Sequence, residues 1–300
     1  MAKTLIVITG PTGVGKTAAA IGLAQRLHCD IINADSRQIY RGIPICTAAP
    51  TPEEMALVKH HFVAIKDLEE SYSAAQYETD VLAMLPSLWQ QGDYAVMCGG
   101  SMLYVDAVCR GIDSLPDISH EVRSAVKEKL TREGLESLVA ELEQLDPEYA
   151  ATIDRKNTSR VCHGVEICRQ AGVPYSTLRT GTAKQRDFNI VKLALNIEHN
   201  ELFDRINRRV DRMLEAGLEQ EARSVYHLRR LNSLNTVGMK EMFAYFDGTM
   251  DRHTAIERMK KNTRVYAKKQ LTWYRRDPSI TWVTPASALS SALDLAGVVQ

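Results

Sequence analysis

Net charge is what this 300-residue sequence most plainly lacks: 37 Lys and Arg balance 37 Asp and Glu. Overall charge therefore points to no partner, and only local clusters can. No CxxC pair occurs among the six cysteines, Cys29, Cys46, Cys98, Cys109, Cys162 and Cys168, a usage that suits reduced thiols in a cytosolic protein. Cys162 and Cys168 fall six apart on a predicted helix and should not pair. No basic n-region followed by an apolar h-region opens the sequence, and no apolar run approaches membrane-spanning length. Tandem repeats and low-complexity stretches are missing too. These absences predict a cytoplasmic protein. What is present is ordinary for a globular chain, 45% hydrophobic and 25% charged, in a length that suits one large domain or a domain with an appendage.

The first hundred residues alternate short apolar runs with helical patterns. Candidate strands are TLIVITG (4–10), DIINAD (30–35), HFVAI (61–65) and YAVMCGG (94–100), with one helix over 16–27 and another before the fourth strand. That alternation argues for a parallel sheet with helices on both faces. Such sheets bind ligands beyond the carboxyl ends of their strands. Gly10 to Lys16, Asp35 to Arg37 and Gly99 to Tyr104 fall at such ends and should converge on one crevice. From about Pro116 the sequence turns helical, acid-rich at first and free of convincing strands, until FNIVKLALNI (188–197) returns the chain to the sheet. The expected organisation is a core of residues 1–115 and 188–300, interrupted by an all-helical insertion over 116–187. Long helical segments close the chain.

The stretch GPTGVGKT, Gly10 to Thr17, matches the GxxxxGK[ST] pattern between an apolar run and an alanine-rich helix, which predicts an α/β fold of the P-loop nucleoside-triphosphatase type. Glycines turn backbone N–H groups inward around an anion, and the helix N-terminus adds partial positive charge. Lys16 adds a full charge, and the Thr17 hydroxyl can reach phosphate or a magnesium ion. A triphosphate-hydrolysing enzyme of this type usually has an acidic residue ending another apolar strand. YAVMCGGSMLY ends instead in glycines and a serine, which disfavours an ordinary ATPase or GTPase and leaves a small-molecule kinase or an enzyme holding another phosphate. The nearest well-placed carboxylate is Asp35. It can cap a helix beginning at DSRQIY, or take a proton from a nucleophile aligned with the phosphate-bearing substrate. His60 and His61 are adjacent, face opposite ways on a strand and cannot jointly bind one metal; a structural hydrogen bond is the expectation for one of them.

With these residues in view, the sequence resembles the tRNA dimethylallyltransferase (tRNA isopentenyltransferase) family along nearly its whole length. GPTGVGKT, INADSRQIYRGIPICTAAPT, HHFVAIKDLEESYSAAQY, GGSMLY, RINRRVDRMLEAGLEQEA and NTRVYAKKQLTWYRR resemble that family's signatures in order. The resemblance implies transfer of a dimethylallyl group from its diphosphate to N6 of the adenosine at position 37, beside the anticodon, in tRNAs reading codons that begin with U. The diphosphate would bind at Gly10, Pro11, Thr12, Gly13, Gly15, Lys16 and Thr17, with magnesium reached by Thr17, and would leave whole. By the same resemblance the catalytic groups are Asp35 as base, Thr17, and Arg209 on the diphosphate; substrate and tRNA contacts fall at Asp35, Ser36, Gln38, Tyr40, Ser101, Arg160, Gly238, Lys268, Lys269 and Gln270. The helical insertion would grip the anticodon stem-loop. Ser101 replaces the family's usual threonine and keeps its hydroxyl; His163 and Met239 stand where arginine and tyrosine are usual.

Arg205, Arg209 and Arg212 share one helical face by spacing, where Asp204 and Asp211 offer partners that would make Arg209 merely a solvated surface arginine. Residues 258–276, RMKKNTRVYAKKQLTWYRR, hold eight Lys or Arg and no acid. Basic groups there can hold an RNA backbone, and Tyr266, Trp273 and Tyr274 can stack on splayed bases; alternatively these aromatics pack into the core. A modified base must leave its stack, which predicts a channel with base and prenyl diphosphate entering from opposite sides. A neutral surface and a bulky RNA ligand are compatible with a monomer. Adenylate isopentenyltransferase, a small-molecule kinase and a non-catalytic RNA-binding module are the competing readings, and the basic face and insertion speak against the first of these.

Overall fold

The computed structural model describes residues 3–298. Six strands, β1 (Thr4–Thr9), β2 (Ile31–Asn33), β3 (His60–His61), β4 (Tyr94–Cys98), β5 (Asn189–Leu195) and β6 (Ile280–Val283), form one sheet in the order β3-β2-β4-β1-β5-β6. Every pairing is parallel. Helices cover both faces, so all six β1 residues are buried and the strand reads as one apolar run rather than an alternating one. This is the expected P-loop-like architecture. Because β2, β4 and β1 are neighbours, the loops that follow them open side by side.

The edges of the sheet differ from the sequence reading. The expected strand over 61–65 is only His60–His61, because Phe62 and Ala64 take left-handed backbone (φ 60° and 50°) that ends strand pairing. His60 Nδ1 bonds the Val58 carbonyl and His61 Nε2 the Asp30 carboxylate, both at 2.8 Å, so both histidines are structural. β6 and the Ala288–Leu295 helix were not foreseen; ITWV is a β-branched and aromatic run between two prolines, the signal that marks a short edge strand. The long segment after β5 breaks into His199–Glu215 and Leu218–Ser224 at Gly217, whose φ is 101°.

The chain divides into two compact units, residues 1–110 with 185–300 and residues 111–184. The second contains helices His120–Glu133, Leu135–Leu145, Pro147–Thr152, Thr158–Ala171 and Tyr175–Leu178 and no strand. They close on a core of their own around Val126, Leu138, Leu142, Tyr149, Val161 and Val165. All six cysteines are free thiols, Cys162 and Cys168 included. Among the described residues no helix is long and apolar enough to cross a membrane.

Candidate active site at the carboxyl end of the sheet

β1 runs into Gly10, Gly13 and Gly15, with φ of 134°, 83° and 105°, and then into the Lys16–Leu27 helix. A β-carbon at Gly10 would lie 2.7 Å from the Leu195 carbonyl oxygen, so the loop lies against the end of β5. Gly15 is the N-cap and no side chain caps the helix. The N–H groups of Gly13, Gly15, Lys16 and Thr17 find no acceptor among the described residues, which leaves a cluster of donors for an anion. The Thr17 hydroxyl is likewise without a protein partner. Lys16 Nζ folds over the loop and donates to the carbonyls of Gly10 (3.1 Å) and Pro11 (2.9 Å). Burial lowers its pKa to about 8; Arg209 nearby adds to the fall, while Cys98 and Asp35 oppose it.

Asp35 follows β2, and its two carboxylate oxygens differ in their surroundings. Oδ1 accepts from the backbone of Arg37 (2.9 Å) and Gln38 (3.3 Å), capping a turn rather than a helix. Oδ2 has no partner among the described residues. The carboxylate stands within electrostatic reach of Lys16 and Arg209. The Arg209 side chain makes no hydrogen bond or ion pair among those residues. Burial holds its guanidinium below the ordinary arginine range, with Asp35 pulling the other way. Asp211 is held by Lys260 at 2.8 Å, so it does not neutralise Arg209. Arg205 pairs with Glu201 at 2.7 Å and only touches the Val14 carbonyl. An open cavity of about 440 Å³ on the same helix is lined by Arg205, Arg208, Asp211, Arg212 and Glu215; it carries both signs of charge and excludes Lys16, Asp35 and Arg209.

After β4, Gly99 and Gly100 bring the third loop in. A β-carbon at Gly99 would sit 2.1 Å from the Ala34 carbonyl oxygen, and one at Gly100 would sit 2.4 Å from Gln270 Nε2. Ser101 Oγ accepts from the Ser36 N–H (2.8 Å) and donates to Ser36 Oγ (3.1 Å), fastening the Asp35 loop to the double-glycine turn. Gln38 donates to the carbonyls of Thr47 and Ala48, and Tyr40 is buried in an apolar cluster. Gly238, φ 100°, packs where a β-carbon would lie 2.7 Å from Cys46 Sγ. The Cys46 thiol is pushed up to about 12, by burial first, and stands near Arg209. Met239 is fully buried. The Cys98 thiol, within electrostatic reach of Lys16, is also pushed up to about 12 by burial; no spacing in the sequence places either thiol near these cations.

On the Arg252–Tyr274 helix Lys268 and Lys269 are exposed, Lys268 above the Phe203 ring at 5.2 Å, while Gln270 is buried. The three aromatics separate: Tyr274 is buried, Trp273 Nε1 donates to Asp106 (2.9 Å), and Tyr266 alone is exposed, in electrostatic reach of Asp35. Arg160 is exposed at the start of the Thr158–Ala171 helix in the 111–184 unit.

A family model described as IPP transferase matches residues 38–277. A tRNA dimethylallyltransferase 1 of Phocaeicola vulgatus is 51% identical over 285 residues, covering 95% of each chain. The crystal structure of the full-length tRNA isopentenylpyrophosphate transferase of Bacillus halodurans superposes with a TM-score of 0.71 at 36% identity, over 98% of this chain and 96% of that one. A eukaryotic dimethylallyltransferase acting on tRNA gives a TM-score of 0.76 at 27% identity, over 99% of this chain and 78% of that one.

The displaced pKa of Lys16 predicts a proton signature of anion binding. Near pH 8.5 the free lysine is mostly neutral, and a bound diphosphate restores the charge, so binding takes up a proton. Calorimetry of inorganic diphosphate in buffers of different ionisation enthalpy should show more proton uptake by wild type than by Lys16→Arg at pH 8.5, with the difference much smaller at pH 7. Lys16→Arg, always charged, should show none of the lysine's contribution.

Proposed function

This chain belongs to the IPP transferase family, and on that premise we propose that it transfers a dimethylallyl group from dimethylallyl diphosphate to N6 of the adenosine at position 37 of tRNAs reading codons that begin with U. The observation that carries the reading is the free Asp35 oxygen standing beside two cations, Lys16 and Arg209, at an uncapped helix N-terminus. As the allylic carbon–oxygen bond breaks, its electron pair leaves on the diphosphate. The loop amides, Lys16 and Arg209 stabilise that growing charge. The N6 lone pair is delocalised into the adenine ring and attacks well only as its proton departs; Asp35 Oδ2 accepts it. Ser101 holds the Asp35 loop in register.

Among the described residues no three His, Cys, Asp or Glu converge as a metal cage. The residues nonetheless fit magnesium held chiefly by diphosphate oxygens, with the partnerless Thr17 hydroxyl as the protein ligand. When bound, it supplies further charge neutralisation on the leaving group. The exposed Lys268, Lys269 and Tyr266 and, in the helical unit, Arg160 are the groups we assign to tRNA, with the 111–184 unit on the anticodon stem-loop. The protein then works in the cytoplasm, as a monomer.

Nucleoside mass analysis after incubation with unmodified tRNA, magnesium and dimethylallyl diphosphate should show one prenyl unit gained on adenosine. Prenylation of free AMP with tRNA untouched would move the assignment to the nucleotide enzyme, and ATP-dependent phosphorylation instead of either would make it a kinase. Asp35→Asn should lower kcat by about 10²–10⁴-fold with tRNA affinity retained; near-normal turnover would remove Asp35 from the role of base. Replacing Lys268 and Lys269 by Ala should flatten the salt dependence of tRNA binding, by about 1 to 2 in the log–log slope.

A further inference from the structure

The Arg252–Tyr274 helix presents a buried stripe at i, i+3, i+4 and i+7: Ala267, Gln270, Leu271 and Tyr274. Ala267 and Leu271 belong to the apolar core beneath the first helix. A carboxamide on such a stripe costs free energy unless both of its ends are bonded. Both ends of Gln270 are bonded, and to the two loops that build the candidate site. Its Oε1 accepts from the Thr12 N–H of the phosphate loop at 2.8 Å. Its Nε2 donates to the Gly100 carbonyl of the double-glycine turn at 2.8 Å. Residue 270 is 2% exposed, so it offers nothing to RNA. Lys269, one residue earlier and about 100° round the helix, is exposed.

We propose that Gln270 is a positioning residue: its carboxamide braces the phosphate loop against the double-glycine turn, orienting the loop amides for a diphosphate without itself touching RNA. This refines the transferase reading and rests on it only for the identity of the diphosphate's substituent. The Thr12 N–H lies inside the phosphate loop, so fixing it sets the plane of the peptide between Pro11 and Thr12. The Pro11 carbonyl in that peptide is one of the two that hold Lys16. Gly100 has no room for a β-carbon because the carboxamide occupies the place, 2.4 Å away. The absence of a side chain at 100 and the amide at 270 are one device.

The test compares wild type, Gln270→Met, which keeps the volume and removes both bonds, and Gln270→Glu, which still accepts from Thr12 but sets oxygen against the Gly100 carbonyl. Two affinities are measured: inorganic diphosphate with magnesium by calorimetry, and unmodified tRNA by fluorescence anisotropy. Gln270→Met should bind diphosphate about tenfold more weakly with tRNA affinity unchanged, and Gln270→Glu should fall between it and wild type. A loss confined to tRNA binding would make Gln270 an RNA contact and overturn the proposal. A lowered Tm with both affinities intact would reduce it to core packing, with the same consequence. Should Gln270→Met fail to fold, the Gln270→Glu comparison decides by the same split. Because the probe is inorganic diphosphate, failure of the brace reads out separately from failure to transfer a prenyl group.

Discussion

Three strand ends share one crevice only because residues 99 and 100 carry no side chains. Gly99 donates to Ile8 and accepts from the Thr9 hydroxyl, while the Ala34 carbonyl occupies the place a β-carbon there would take. The β4 end is thereby wedged between β1 and β2 at backbone distance. The bonds that tie one loop of the site to another run through this wedge. Ser101 reaches Ser36 from it, Ala34 accepts from the Ser101 N–H, and Gln270 bonds Gly100 and Thr12 across it. A methyl group at position 99 would push β2 away and separate Asp35 from the phosphate loop.

The electrostatics follow from that closeness. Burial lowers the proton affinity of both Lys16 and Arg209, Arg209 adds to the fall at Lys16 and Arg212 to that at Arg209, while Asp35 raises both. One carboxylate against two cations, with a further set of unbonded loop amides, leaves net positive potential in a partly buried place. Arg209 makes the imbalance plain, since a buried guanidinium normally finds a carboxylate and its sequence neighbour Asp211 is engaged by Lys260. The imbalance favours an anion in the pocket. The free Asp35 oxygen remains available at its margin because Oδ1 alone satisfies the turn.

Local signals were legible in the sequence and distant ones were not. GPTGVGKT could be read because its function resides in eight consecutive residues whose backbone does the work. β1, β2, β4 and β5 could be read because each leaves a continuous apolar run, whereas β6, a short edge strand, was not read. β3 was expected, but its bounds could not be read, since two residues carry no period and the left-handed Phe62 that ends it has no sequence mark. The arginine face was legible as spacing, but which arginine stays unpaired depends on Lys260, some fifty residues away. Trp273 and Tyr274 looked like Tyr266 in the sequence, and only packing against Asp106 and the core separates them. Gln270 was drawn to the site by resemblance, yet its partners lie 258 and 170 residues away, beyond any pattern of spacing.

The missing acidic residue at the end of β4 has the same origin as the rest. In a triphosphate-hydrolysing site that position helps hold magnesium. Here Ala34 fills the space at 99, and at 100 the Gln270 amide and Lys16 Nζ stand 2.4 and 3.5 Å from where a β-carbon would be. No side chain of either sign fits. The carboxylate instead closes the neighbouring strand, β2, where one oxygen is tied to the turn and the other faces the cations. A carboxylate so placed is suited to receive a proton from a nucleophile arriving beside the phosphate loop. The steric wedge that assembles the crevice thus also decides where its one free carboxylate oxygen can stand, and with it the kind of chemistry the loop can serve.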